Sequence, residues 1–151
     1  MYRHMTRIIP LLAIMLGLGL QNVSAHEHQK GDLSIIHPYA YASIGSARAG
    51  AVFVTLRNGG AQDDVLLGVE FEGSARAELH THKHENGTMK MRPVEQITVP
   101  GQGEAKLQPG GDHIMLMGLK RGLELNQSHD LVLIFRDAGR VSVQFTVEER
   151  N

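Results

Sequence analysis

His80, Met91, His113 and Met115 are separated by ten, twenty-one and one residues. Two imidazoles and two thioethers make a donor set suited to copper(I). Thioether sulfur is a soft, uncharged ligand that takes d10 copper(I) well and hard or borderline divalent ions poorly, whereas imidazole tolerates many transition metals. The methionines are therefore the discriminating members. A thioether needs no deprotonation and forms no disulfide, so such a site would work in an oxidising compartment.

Short extended elements would position these donors. In a strand, residues i and i+2 share a face, so His113 and Met115 would project together while Ile114 and Leu116 point to the other side. His80-Thr81-His82-Lys83-His84 offers three imidazoles in the same way, and Glu85-Asn86-Gly87 can turn the chain so that Met89 and Met91 run alongside. The expected arrangement is a hairpin facing the His113 strand at one end of a sandwich. A single methionine in a strand is more often core filler. Here, however, His113 shares its face with Met115 and Met117, and a core face does not ordinarily hold an unpaired imidazole. Met89 and Met117 are expected to pack around the ligands rather than bind. His82 and His84 are candidates for additional metal, as are His26 and His28. His37 and His129 have no partners in the pattern and are expected at strand ends or on the surface.

The rest of the chain repeats short β-branched or alternating runs between Gly, Pro, Asn and Asp, with no amphipathic helix. Strands are expected over Leu33–His37, Ala51–Arg57, Val65–Phe71, Ala75–His82, Thr88–Met91, Glu104–Leu107, His113–Leu119, Asp130–Phe135 and Arg140–Val147. That pattern predicts an all-β, Greek-key sandwich or barrel. His26 to Gly31 reads as a loose polar N-terminus.

Ahead of it, Arg3 and Arg7 precede an apolar run from Ile8 to Leu20 that ends in Val23-Ser24-Ala25. Residues 1–25 read as a signal peptide for export to the periplasm, cut before His26. Residues 26–151 then form one domain. The apolar run is shorter than the roughly 20 residues of a membrane span, and no stable membrane insertion is expected after cleavage. Removal of the two arginines leaves 13 Lys plus Arg against 16 Asp plus Glu, a net charge of -3, which gives nucleic acid no reason to bind. The absence of cysteine means that the fold must hold without disulfides, and it excludes a blue-copper centre and every CxxC mechanism. A chain beginning His26-Glu27-His28 could enclose copper(II) in a square plane of the α-amine, two amides and the His28 imidazole.

The stretch Glu78-Leu79-His80, then Asn86-Gly87-Thr88-Met89-Lys90-Met91-Arg92-Pro93-Val94, then Leu107-Gln108-Pro109-Gly110-Gly111-Asp112-His113-Ile114-Met115-Leu116-Met117-Gly118-Leu119, resembles the periplasmic copper chaperone family called PCuAC. The likeness extends more weakly over Gly50 to Asn58 and the terminal strands. It implies a cupredoxin-like β-sandwich that binds copper(I) through His80, Met91, His113 and Met115. It further implies delivery of copper to a membrane cuproenzyme such as cytochrome c oxidase, or to another copper chaperone. Two departures stand out. Family members often carry Met where this chain has His82, and added imidazoles favour copper(II) or zinc. Some relatives also end in a His- and Met-rich tail, whereas this sequence reads Val147-Glu148-Glu149-Arg150-Asn151.

A cupin-type metalloenzyme is an alternative, with His80, His82, Glu85 and His113 holding iron, manganese or zinc, but it leaves Met91 and Met115 without a role. A periplasmic zinc or copper storage protein using the three-histidine run is another. No Ser/His/Asp set or phosphate-cradling glycine loop stands out. The expectation is a carrier, not an enzyme.

Overall fold

A computed structural model describes residues 27–150. It contains β1 (Glu27–Lys30), β2 (Leu33–Tyr41), β3 (Ala49–Asn58), β4 (Asp64–Glu70), β5 (Ser74–Glu85), β6 (Thr88–Pro93), β7 (Ile97–Val99), β8 (Gly103–Leu107), β9 (His113–Leu119), β10 (Ser128–Phe135) and β11 (Arg140–Glu148). No described residue is helical. The all-β expectation holds.

The strands hydrogen-bond in the order β6-β5-β9-β3-β2-β11-β10-β4-β7, with β1 added beside β2 and β8 beside β3. β9 is thus inserted between β5 and β3, and β11 runs parallel to β2 with Thr146 opposite Tyr39, so several connections cross over as in Greek keys. The sheet folds over on itself, bringing β7 back against β8 and β3 and β4 against β5. Between the layers lies one core. β11 shows how the sequence makes it: Val141, Val143, Phe145 and Val147 are buried while the residues between them are not, the period-2 pattern of a strand with one dry face. Leu131, Leu133 and Phe135 of β10 and Ile114, Leu116 and Leu119 of β9 complete that interior. Each such side chain stabilises the fold by about 1.5–3 kcal/mol on burial.

Three elements differ from expectation. Glu27–Lys30 is not loose: it pairs antiparallel with Leu33–Ile36, because main-chain pairing needs no apolar side chain. β2 runs past Pro38, which lacks a donor, by shifting register between Ile36 and Tyr39 and placing His37 at φ 49°, as β-bulges allow. β7 is three residues long, too short to show periodicity, and is held by buried Ile97 and Val99. The proposed signal peptide and His26 lie outside the described residues.

Candidate metal centre

β9 has two unlike faces. Ile114 and Leu116 are fully buried in the core, which turns His113 and Met115 to the outer side of the sheet. Leu79 likewise points β5 inward and leaves Glu78, His80 and His82 outward. β5 runs antiparallel to β9 with His80 opposite His113 and Glu78 opposite Met115. β6 returns along the other edge of β5 with Met91 opposite His82 and Met89 opposite His84. The hairpin therefore lies beside the His113 strand in the same sheet and does not face it across the sandwich. Ladder pairing is what gathers the donors.

On the other flank of β9, β3 sets Ala51 opposite Met115. Its small side chain leaves room, and a cleft of about 590 Å³ opens there. His82, Met91, His113 and Met115 all line it, with Phe53 and Tyr41 as an aromatic wall and Arg150 at the rim. The Arg150 guanidinium lies 5.0 Å from the Tyr41 ring centre. His113 is only 2% exposed, whereas Met91 is 49% exposed, so the cleft is deep at one donor and open at another.

The loop before β9 fixes the imidazoles. Gln108-Pro109-Gly110-Gly111 closes with Gly111 N–H donating to the Gln108 carbonyl at 3.0 Å, and Gly110 sits at φ 82°. Proline second and a positive-φ glycine third make a type II turn. The turn presents the Gly111 carbonyl to two rings: Nδ1 of His113 lies 3.0 Å away and Nδ1 of His82 lies 3.1 Å away. A carbonyl only accepts, so both rings donate from Nδ1 and both Nε2 atoms keep free lone pairs. His80 is held the other way round. Its Nε2 lies 3.1 Å from a Glu78 carboxylate oxygen, and its buried Nδ1 has no partner. Ring centres are 5.1 Å apart for His82 and His113 and 5.9 Å for His80 and His113. Burial lowers the His113 pKa below the ordinary imidazole value, and His82 and His80 push the same way against the Gly111 bond. His113 is thus a neutral imidazole at neutral pH.

Of the expected four, Met91, His113 and Met115 share the cleft, while His80 stands next to it across from His113. His82 occupies the cleft position opposite Met91. His84 and Met89 lie further along the hairpin. Met117 lies two residues beyond Met115 with the Arg76 guanidinium 3.8 Å from its sulfur. His28 is in β1, opposite Ile35. His37 is exposed and pairs with Glu148 at 2.6 Å. His129 stands at a strand end as expected, second in β10, and is half-buried against Phe71 and Phe145. The cupin set does not assemble: Glu85 points to the opposite hairpin face and pairs with Arg92 at 2.7 Å. Among the described residues no three His, Asp or Glu side chains are arranged to hold a metal. The aromatic wall and the Gly111 carbonyl carry no spacing signal of their own.

Residues 33–147 match the family described as "Putative lipoprotein LpqE-like". The chain belongs to this family. It is similar to Putative lipoprotein Lxx21020 of Leifsonia xyli subsp. xyli, with 31% identity over 100 residues, 66% of this chain. The match spans 60% of that relative's length. Among solved structures, the apo PCuAC domain from PmoF1 superposes with a TM-score of 0.72 at 23% identity, covering 83% of this chain and 100% of that one. The solution structure of CuI-DR1885 from Deinococcus radiodurans superposes with a TM-score of 0.64 at 30% identity, covering 87% of this chain and 86% of that one. The cupredoxin-like fold and the resemblance to PCuAC domains are borne out.

Proposed function

We propose that this chain is a periplasmic copper(I) chaperone that carries the ion in the outer-face cleft, on Met91, His113 and Met115 with His82 or His80 as the fourth donor. The observation that carries the reading is the paired tautomer: Gly111 holds His82 and His113 by Nδ1 and leaves both Nε2 atoms free beside two thioethers. His80, with its buried, unpartnered Nδ1, supports a second way of completing the same shell. Thioethers and imidazoles both bind as uncharged ligands, so the site suits a soft monovalent ion. The copper(I) in the solved DR1885 structure agrees with this cargo.

Carriage requires release. The half-exposed Met91 lets a recipient's ligands enter the shell one at a time, each new bond forming as one to the carrier breaks. We assign the recipient to the membrane cuproenzymes, with cytochrome c oxidase first among them. The relatives' description as lipoproteins suits an exported protein, although this sequence has no cysteine on which a thioether-linked lipid could be built. Copper(II) capture by His26-Glu27-His28 is a secondary role; it would pull Glu27 and His28 out of their pairing with Ile36 and Ile35.

Anaerobic copper(I) titration with X-ray absorption tests the reading. Sulfur scattering in the first shell is expected, and Met91→Ala or Met115→Ala should weaken copper(I) by roughly tenfold or more while changing copper(II) and zinc less. A shell of nitrogen and oxygen alone, or equal loss for all three ions, would refute it. His80→Ala and His82→Ala, compared in the same measurement, identify the fourth donor.

A further inference from the structure

The β5–β6 hairpin carries more soft donors than the cleft uses. β5 pairs with β9 only from Ser74 to His80, whereas its pairing with β6 continues from His80 to Glu85. The arm beyond His80 therefore projects past the neighbouring strand. Strand alternation gives this arm two faces. One bears Thr81 opposite Arg92, Lys83 opposite Lys90 and Glu85 opposite Thr88, tied by Glu85 to Arg92 at 3.0 and 2.7 Å and to Lys90 at 3.6 Å. The other bears His82 opposite Met91 and His84 opposite Met89, with no fixed charge among the four. Both methionines are exposed, Met89 by 45% and Met91 by 49%, which is unusual for a side chain that normally fills a core.

We propose that His84 and Met89 form a second, outer copper(I) site at the end of the arm, through which the ion passes to and from His82 and Met91 in the cleft. Directly opposed side chains have Cβ atoms about 4.5–5.5 Å apart, which lets one imidazole and one thioether share an ion. The inner rung lies two residues along, roughly 7 Å away. Transfer is ligand exchange: a bond to Met91 or His82 forms as one to Met89 or His84 breaks, and copper stays monovalent. Two donors leave the outer ion under-coordinated, so a partner's own thioethers or imidazoles can complete its shell. The recognised partner is thus a protein presenting soft ligands on an accessible segment.

This inference rests on the cleft reading, and the test separates the two. The full chain, labelled at its methionine methyl groups, is titrated anaerobically with copper(I) and followed by NMR. The first equivalent should move Met91 and Met115, and the second should move Met89 together with the His84 ring. In the double variant His84→Ala, Met89→Leu, the first equivalent should bind with unchanged affinity, the second response should vanish, and transfer to a soluble copper(I) chelator should slow roughly tenfold. If Met91 and Met115 respond but Met89 stays still through two equivalents, or if the double variant transfers at the wild-type rate, the outer site is refuted alone. If Met91 and Met115 do not respond, the cleft reading falls and the outer site with it.

Discussion

One backbone oxygen, that of Gly111, sets the tautomer of both His82 and His113, and groups that orient a ligand in this way commonly govern affinity by 10–100-fold. His82→Met, which restores the residue frequent in the resembled family, should therefore keep copper(I) and lower copper(II) and zinc affinity by roughly tenfold; competition titrations with the three ions would read this, and an unchanged preference would mean that His82 is not a donor. A second residue with a measurable signature is Tyr39. Burial first, then the Tyr41 hydroxyl and the Tyr41 and Glu148 charges, push its pKa from 10.0 up to about 12. The folded state holds that proton where the unfolded chain has lost it, so stability should fall as pH rises from about 10 to 12. Absorbance titration should show a phenol ionising near the upper value, and urea unfolding should weaken across the same interval. That Met91, His113 and Met115 come together in the cleft was legible in the sequence, and so in principle was the place of His82. A two-residue Asn86-Gly87 loop pairs Glu85 with Thr88 and counts back to His82 against Met91. The sequence does not show that the His80 ring is engaged by Glu78, because that depends on a side-chain torsion and not on spacing.

The elements that hold the site are a ladder and a turn. β9 was readable because His-Ile-Met-Leu alternates cleanly, and alternation fixes both the buried face and the donor face at once. Less readable was the pairing of β5 with β9, since which strands become neighbours is decided by the whole core and no short pattern encodes it. β1 and β7 were missed for opposite reasons, the first being all polar and the second only three residues long. The type II turn at Gln108–Gly111 gives the sharpest prediction at this scale. Gly110→Ala forces a side chain into φ 82°, where strain costs about 1–3 kcal/mol. It should lower stability by about that amount and also weaken copper(I) binding, though it removes no donor, because the Gly111 carbonyl would shift. Chemical denaturation and copper competition on the same variant test the pair of effects; a loss of stability with unaltered affinity would separate the turn from the site.

In the whole molecule, the sheet that carries the donors outward also carries the core inward, and β9 belongs to both. Leu116 is fully buried between His113–Met115 and Met117 in sequence but on the other face. Leu116→Ala should cost about 2–5 kcal/mol, a serious loss for a fold with no disulfide to fall back on, and should broaden the NMR signals of the cleft donors even where the variant stays folded. Thermal unfolding measures the first effect and methyl spectra the second. The aromatic wall has an optical consequence. The chain has no tryptophan, and the phenols that the structure describes, Tyr39 and Tyr41, pack at a tilt against Phe53, which in turn lies beside His113. Ultraviolet emission from the described residues therefore arises beside the cleft, and a metal held there would dim it, so the protein's own light would report its load without any added dye.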